Sequence, residues 1–122
     1  MIRVFAGSAA GAIVVLAFFA VFLWSTPAWA CERMVASFYG AESGNRTADG
    51  SYFDGSQLVA AHRTLKFGTR LKVTYRGKSV IVRVADRGPW IKGRQLDLSR
   101  AAAAKIGMVN AGVATVCVTR VK

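Results

Sequence analysis

The chain has 122 residues, a formal net charge of +11, one histidine and two cysteines. That length fits one domain rather than several. One histidine with two cysteines does not make up a zinc site, and no metal or cofactor is expected.

Residues 1–30 read as a segment apart. Arg3 gives a thin positive start, residues 4–24 carry no charge, and Pro27-Ala28-Trp29-Ala30 ends in an Ala-x-Ala processing site. This is the anatomy of a secretory signal peptide. An uncleaved anchor is the alternative, since the apolar run is long enough to span a bilayer. In both readings the domain of residues 31–122 lies outside the cytoplasm, in the periplasm or cell envelope. Sixteen Lys and Arg against six acids give that domain a charge of +10. Such a charge attracts polyanions. Outside the cytoplasm these are lipid headgroups and cell-wall polymers rather than nucleic acid. Cys31 and Cys117 stand at the two ends of the domain. An even cysteine count in an oxidising compartment reads as a disulfide. The alternative is a lipidated Cys31, although Ala28, Trp29 and Ala30 make a poor lipoprotein box.

In chain order, residues 34–39 form a short strand rich in aromatic and β-branched types. Residues 40–50 are a loop with a turn at Thr47-Ala-Asp-Gly50, and residues 51–57 stay irregular. Residues 58–61 are a brief apolar run leading to His62. Residues 69–76 alternate, with Leu71, Val73 and Tyr75 on one face and Arg70, Lys72, Thr74 and Arg76 on the other. Gly77-Lys78 turns into a second alternating strand, residues 79–85, so the two form a hairpin. Asp86 closes that strand, and Arg87-Gly-Pro-Trp90 is loop sequence. Leu96 and Leu98 bracket Asp97 in a short apolar segment. Ser99 caps a helix over residues 100–106 that Gly107 ends. Residues 113–121 are the last strand. Short strands, one helix and long loops fit a small closed barrel.

Five blocks now stand in order: Ala36-Ser-Phe-Tyr-Gly40, Thr47-Ala-Asp-Gly50, Ala60-Ala-His-Arg-Thr-Leu65, Asp86-Arg-Gly-Pro89 and Leu96-Asp-Leu-Ser99. Together they resemble the rare lipoprotein A family over residues 34–121. The resemblance implies a mainly β fold, a six-stranded double-psi β-barrel with one or two short helices, as in expansins and barwin-like domains. It implies an endolytic lytic transglycosylase acting on peptidoglycan glycan strands poor in peptide. By position it makes Asp86 and His62 the catalytic pair. The family commonly has Glu after the Thr-x-x-Gly turn, where this chain has Ser51.

Hydrolytic glycosidases place two carboxyls about the scissile bond. A lytic transglycosylase needs less, because the sugar's own 6-hydroxyl attacks the anomeric carbon and yields a 1,6-anhydro product. One carboxyl can protonate the leaving oxygen and then accept the hydroxyl proton. Asp86 suits that role, unless Arg83 and Arg87 point inward and depress its pKa. Its alternative is to accept hydrogen bonds from the loop amides of Gly88 and beyond. Asp97, between two leucines, reads as a group bonded to backbone amides. His62 is either a core residue or the group that orients Asp86 or donates to the sugar. Tyr39, Tyr52, Phe53 and Trp90 are candidate sugar-stacking walls, of which only Trp90, in its Gly/Pro loop, is expected to be exposed. Thr47, Ser51 and Arg87 complete the expected substrate-binding set. The expected partner is the glycan strand, bound by a monomer whose only membrane link is its N-terminal segment or a lipid on Cys31. A non-catalytic wall-binding or wall-loosening module remains the second reading.

Overall fold

A computed structural model describes residues 30–122. The proposed leader and its processing site lie outside the described residues, apart from Ala30 itself. Six strands make the fold: β1 (Glu32–Tyr39), β2 (Val59–Ala61), β3 (Arg70–Tyr75), β4 (Lys78–Asp86), β5 (Leu96–Ser99) and β6 (Ala114–Val121). They close into a barrel in the order β1-β5-β2-β4-β3-β6. The β1/β5 and β2/β4 pairs are parallel and the rest antiparallel. This is the mainly β, six-stranded double-psi arrangement that the resemblance implied. Among the described residues, one α-helix, α1 (Arg100–Lys105), and one 3-10 turn (Ala41–Ser43) complete it.

Alternation explains the wall. Leu71, Val73, Val80, Val82, Val84, Leu96, Leu98, Val116 and Val118 point inward and are buried. Ile106 and Met108, just beyond α1, are buried in this core. The Ser99 hydroxyl accepts from the Ala102 amide, which fixes the start of α1. Burial of these side chains is the main source of stability, since each contributes about 1.5–3 kcal/mol relative to exposure.

The β3–β4 hairpin pairs Tyr75 with Lys78, so its two-residue turn is Arg76-Gly77, one position earlier than the sequence reading placed it. Both turn residues have positive φ, at 48° and 82°. That backbone matches the right-handed strand twist and favours glycine at the second position. The first strand also begins two residues earlier than expected, because Glu32 and Arg33 pair with Val118 and Cys117.

Cys31 and Cys117 are bonded, with Cα atoms 5.5 Å apart and 86 residues between them in sequence. The bridge ties the start of β1 to β6 and closes nearly the whole domain. Cys117→Ser is therefore expected to lower the unfolding free energy by about 2–4 kcal/mol. Denaturant melts of oxidised parent and variant measure this directly.

Candidate functional site

The site grows from one register row. Ser37 on β1 pairs with Asp97 on β5, Asp97 pairs with Ala61 on β2, and Ala61 pairs with Asp86 on β4. In the neighbouring row, Phe38, Leu98, Ala60 and Val84 face the barrel core. The row with the acids therefore faces outward. A register irregularity between Ala60 and Ala61 sets Ala85 and Asp86 against a single step of β2. Such a bulge re-aims a side chain. Here it puts Asp86, rather than Ala85, opposite Ala61. Asp86 and Asp97 thus stand on either side of β2, with backbones about 10 Å apart across two strand spacings.

Tyr39, Ser43, Ala61, Asp86, Arg87 and Asp97 line one depression of about 190 Å³. A second, smaller cluster of Tyr39, Phe53, Val59, Ala61 and Ala85 supports it from beneath. The 40–57 loop delivers Phe53 to that cluster. Its Asp49 amide donates to the Ala85 carbonyl at 3.0 Å, and its Ala48 amide donates to Asp86 Oδ1 at 3.0 Å.

Asp86 Oδ1 also accepts from the Arg87 amide at 3.0 Å. Both bonds land on one oxygen, which leaves Oδ2 as the oxygen available to a ligand. Loop amides do hold Asp86, as its alternative reading supposed, but they belong to Ala48 and Arg87 and fix it at the rim of a depression. Asp97 departs from expectation. It bonds no backbone amide; its Oδ1 accepts from the Ser37 hydroxyl at 3.1 Å. Burial pushes its carboxyl up to about 6, against the Ser37 hydrogen bond and Arg94, while Asp86 and Glu42 add to the rise. A carboxyl that is half protonated at that pH can act as a proton donor there.

The two neighbouring arginines are occupied. Arg83 Nη1 meets Asp49 Oδ2 at 2.6 Å. Arg87 Nη1 donates to the carbonyls of His62 and Leu65, at 3.1 and 2.8 Å, and its guanidinium lies 3.9 Å from the centroid of the Phe67 ring. Arg87 both lines the depression and ties β2's exit to the Asp86 loop.

His62 meets Asp86 through the backbone: its amide donates to the Asp86 carbonyl at 3.2 Å. Its ring is absent from the lining of the Asp86 depression. The ring belongs to a separate cavity of about 340 Å³ shared with Glu32, Met34, Thr64, Leu65, Leu71, Val118 and Arg120. Nδ1 accepts from the amides of Thr64 and Leu65 at 3.2 and 3.1 Å. Burial lowers the imidazole's pKa, aided by Arg87, Arg63 and Arg120 and opposed by Glu32. A neutral ring whose Nδ1 accepts from two amides is a turn-forming group at this position.

Thr47 and Ser51 are also set apart from the depression. Their hydroxyls lie 2.7 Å apart, and each donates to Asp49 Oδ1, at 2.5 and 2.6 Å. Burial alone would raise the Asp49 pKa. The bonds from Ser51, Thr47 and Arg83 outweigh it and hold this carboxyl well below its usual range. The trio builds the turn that carries the Ala48 amide to Asp86. Trp90 is 73% exposed on the loop after Asp86, free to stack on a ligand. Tyr39 is buried, with its ring centroid 5.0 Å from that of Phe53, so its ring is no stacking wall. Arg63, unmarked in the sequence reading, donates to the carbonyls of Pro89, Ile91 and Arg94, at 2.7, 3.2 and 2.7 Å, and clamps the Trp90 loop.

A double-psi β-barrel with two carboxyls in one outer depression is the class this geometry defines. Residues 32–118 match the family described as lytic transglycolase, and the chain belongs to that family. It is 53% identical over 85 residues to a probable endolytic peptidoglycan transglycosylase RlpA of Synechocystis sp., covering 67% of this chain and 26% of the relative. It is 50% identical over 88 residues to the endolytic peptidoglycan transglycosylase RlpA of Vibrio cholerae, covering 70% and 34%. The chain thus spans about a quarter to a third of the length of these relatives. Among solved structures, the Clavibacter michiganensis expansin aligns with a TM-score of 0.60 at 26% identity, over 74% of this chain and 50% of that one. The Streptomyces papain inhibitor aligns at 0.62 and 24%, over 75% and 96%, and shares the fold.

Proposed function

We propose that this domain is an endolytic lytic transglycosylase that cleaves peptidoglycan glycan strands, preferring peptide-poor ones, and releases 1,6-anhydro-muramyl ends. One observation carries the reading: Asp86 and Asp97 flank Ala61 in a single outward row and line the same depression. Asp97, whose proton affinity burial raises, gives its proton from the protonated form to the leaving glycosidic oxygen. The C1–O4 bond breaks and positive charge builds on the anomeric carbon. Asp86, fixed by two amides, faces that charge with Oδ2 and accepts the proton of the attacking 6-hydroxyl as the O6–C1 bond forms. His62 and Arg87 hold the Asp86 loop, and Trp90 stacks on a sugar outside the depression. The basic surface draws the domain to the lactyl carboxylates that a peptide-free strand exposes. The reading includes export with residues 1–30 as leader, a place in the cell envelope, and action as a monomer.

A second reading, a non-catalytic glycan-binding module, draws on the likeness to the expansin and on Ser51, whose hydroxyl is spent on Asp49. Release of soluble fragments separates the two. The transglycosylase solubilises dye-labelled, amidase-treated sacculi with time. A binding module sediments with them and releases nothing.

A further inference from the structure

The Tyr39 hydroxyl is the one buried side-chain polar atom without a hydrogen-bond partner among the described residues. The residue is only 9% exposed. Leaving a buried donor unpaired costs stability, so such a group calls for an explanation. Its position supplies one. Tyr39 and Ser37 are two residues apart on β1 and share a face. Ser37 sits opposite Asp97 and already donates to it. Tyr39 is therefore diagonal to Asp97, one strand spacing across and two residues along, about 8 Å away between backbones and within reach of a long side chain. Both residues line the depression with Asp86.

We infer that the Tyr39 hydroxyl is the second hydrogen-bond donor to the Asp97 carboxylate, engaged when Asp97 has given up its proton. Tyr39 is then a positioning residue for the acid. While Asp97 is protonated, one donor from Ser37 suffices. Once it ionises, a half-buried anion needs further donors, and the unpaired hydroxyl is a spare one on the same strand face. Burial, with the charges of Asp86, Asp97 and Asp49, raises the Tyr39 pKa, so the phenol keeps its proton and remains a donor. The other groups acting on Asp97 are Asp86 on β4, Glu42 in the 3-10 turn and Arg94 in the loop before β5. None of these supplies Asp97 with a hydrogen bond.

This inference builds on the proposed role of Asp97, but its test needs no activity. Carbon-13 NMR titration of the Asp97 carboxyl, assigned by its loss in Asp97→Asn, compares the parent with Tyr39→Phe. The variant's midpoint is expected to lie above the parent's by roughly half to one pH unit, the worth of one hydrogen bond to the anion. Its melting temperature at acid pH should hold or rise, since Phe removes an unpaired polar atom. An unchanged or lowered midpoint would overturn the inference. So would a marked loss of stability at acid pH, which would reveal a structural partner for the hydroxyl. Failure of the parent to cleave glycan would count against the proposed function and leave the titration result standing.

Discussion

Asp97→Asn is expected to cut glycan cleavage by about 10²–10⁴-fold, the usual worth of a positioned general acid. It should do so while making the protein more stable at neutral pH. The sign follows from the raised pKa. The folded state holds a proton on Asp97 up to about 6, whereas an unfolded chain releases it at an ordinary carboxylate pH. Stability is thus lost as pH rises from the ordinary carboxylate range through about 6. A neutral Asn escapes that loss, so its melting temperature at pH 7 should exceed the parent's. Parent activity should fall on the alkaline side with a midpoint near the same value, about 6. A variant that melts higher but no longer cleaves would separate chemistry from folding.

Asp86→Asn should be comparably severe, for a different reason. Asn retains an oxygen for the Ala48 and Arg87 amides, so the loop geometry and melting temperature should change little. What it lacks is the anionic second oxygen. Cleavage is expected to fall by about a hundredfold or more, while the variant should still sediment with denuded sacculi, since the proposed binding rests on basic groups and Trp90 rather than on Asp86. Cleavage by this variant at the parent rate would move the whole role to Asp97.

Much of the scaffold was legible because local pattern dictates it. The β3 and β4 alternation, the Ser99 cap and the glycine-ended helix follow from side-chain period and capping chemistry. The hairpin turn slipped by one residue because Arg76 adopts a left-handed φ that its side chain does not advertise. The site was half legible. Asp86 stood out at a strand end beside Gly and Pro. Asp97 did not, since its two leucines drew attention to the core. Yet the pattern Leu96-Asp97-Leu98 is itself a strand alternation, with Leu in and Asp out, and that signal marks an outward carboxyl. What local sequence could not give is the row Ser37-Asp97-Ala61-Asp86, which parallel and crossover pairings assemble from four distant segments. The same holds for Arg83, whose partner Asp49 lies 34 residues away. His62 shows the converse. The resemblance implied a catalytic role for it, whereas its Nδ1 accepts from the amides just after it and the residue lines another cavity.

The most direct test of the account is the mass of the glycan ends released from amidase-treated sacculi, at a pH below the Asp97 midpoint of about 6. The parent should release muramyl ends lighter by one water than hydrolysed ends, and Asp97→Asn and Asp86→Asn should release almost none. Reducing, fully hydrated ends from the parent, or no released ends despite firm binding, would contradict it.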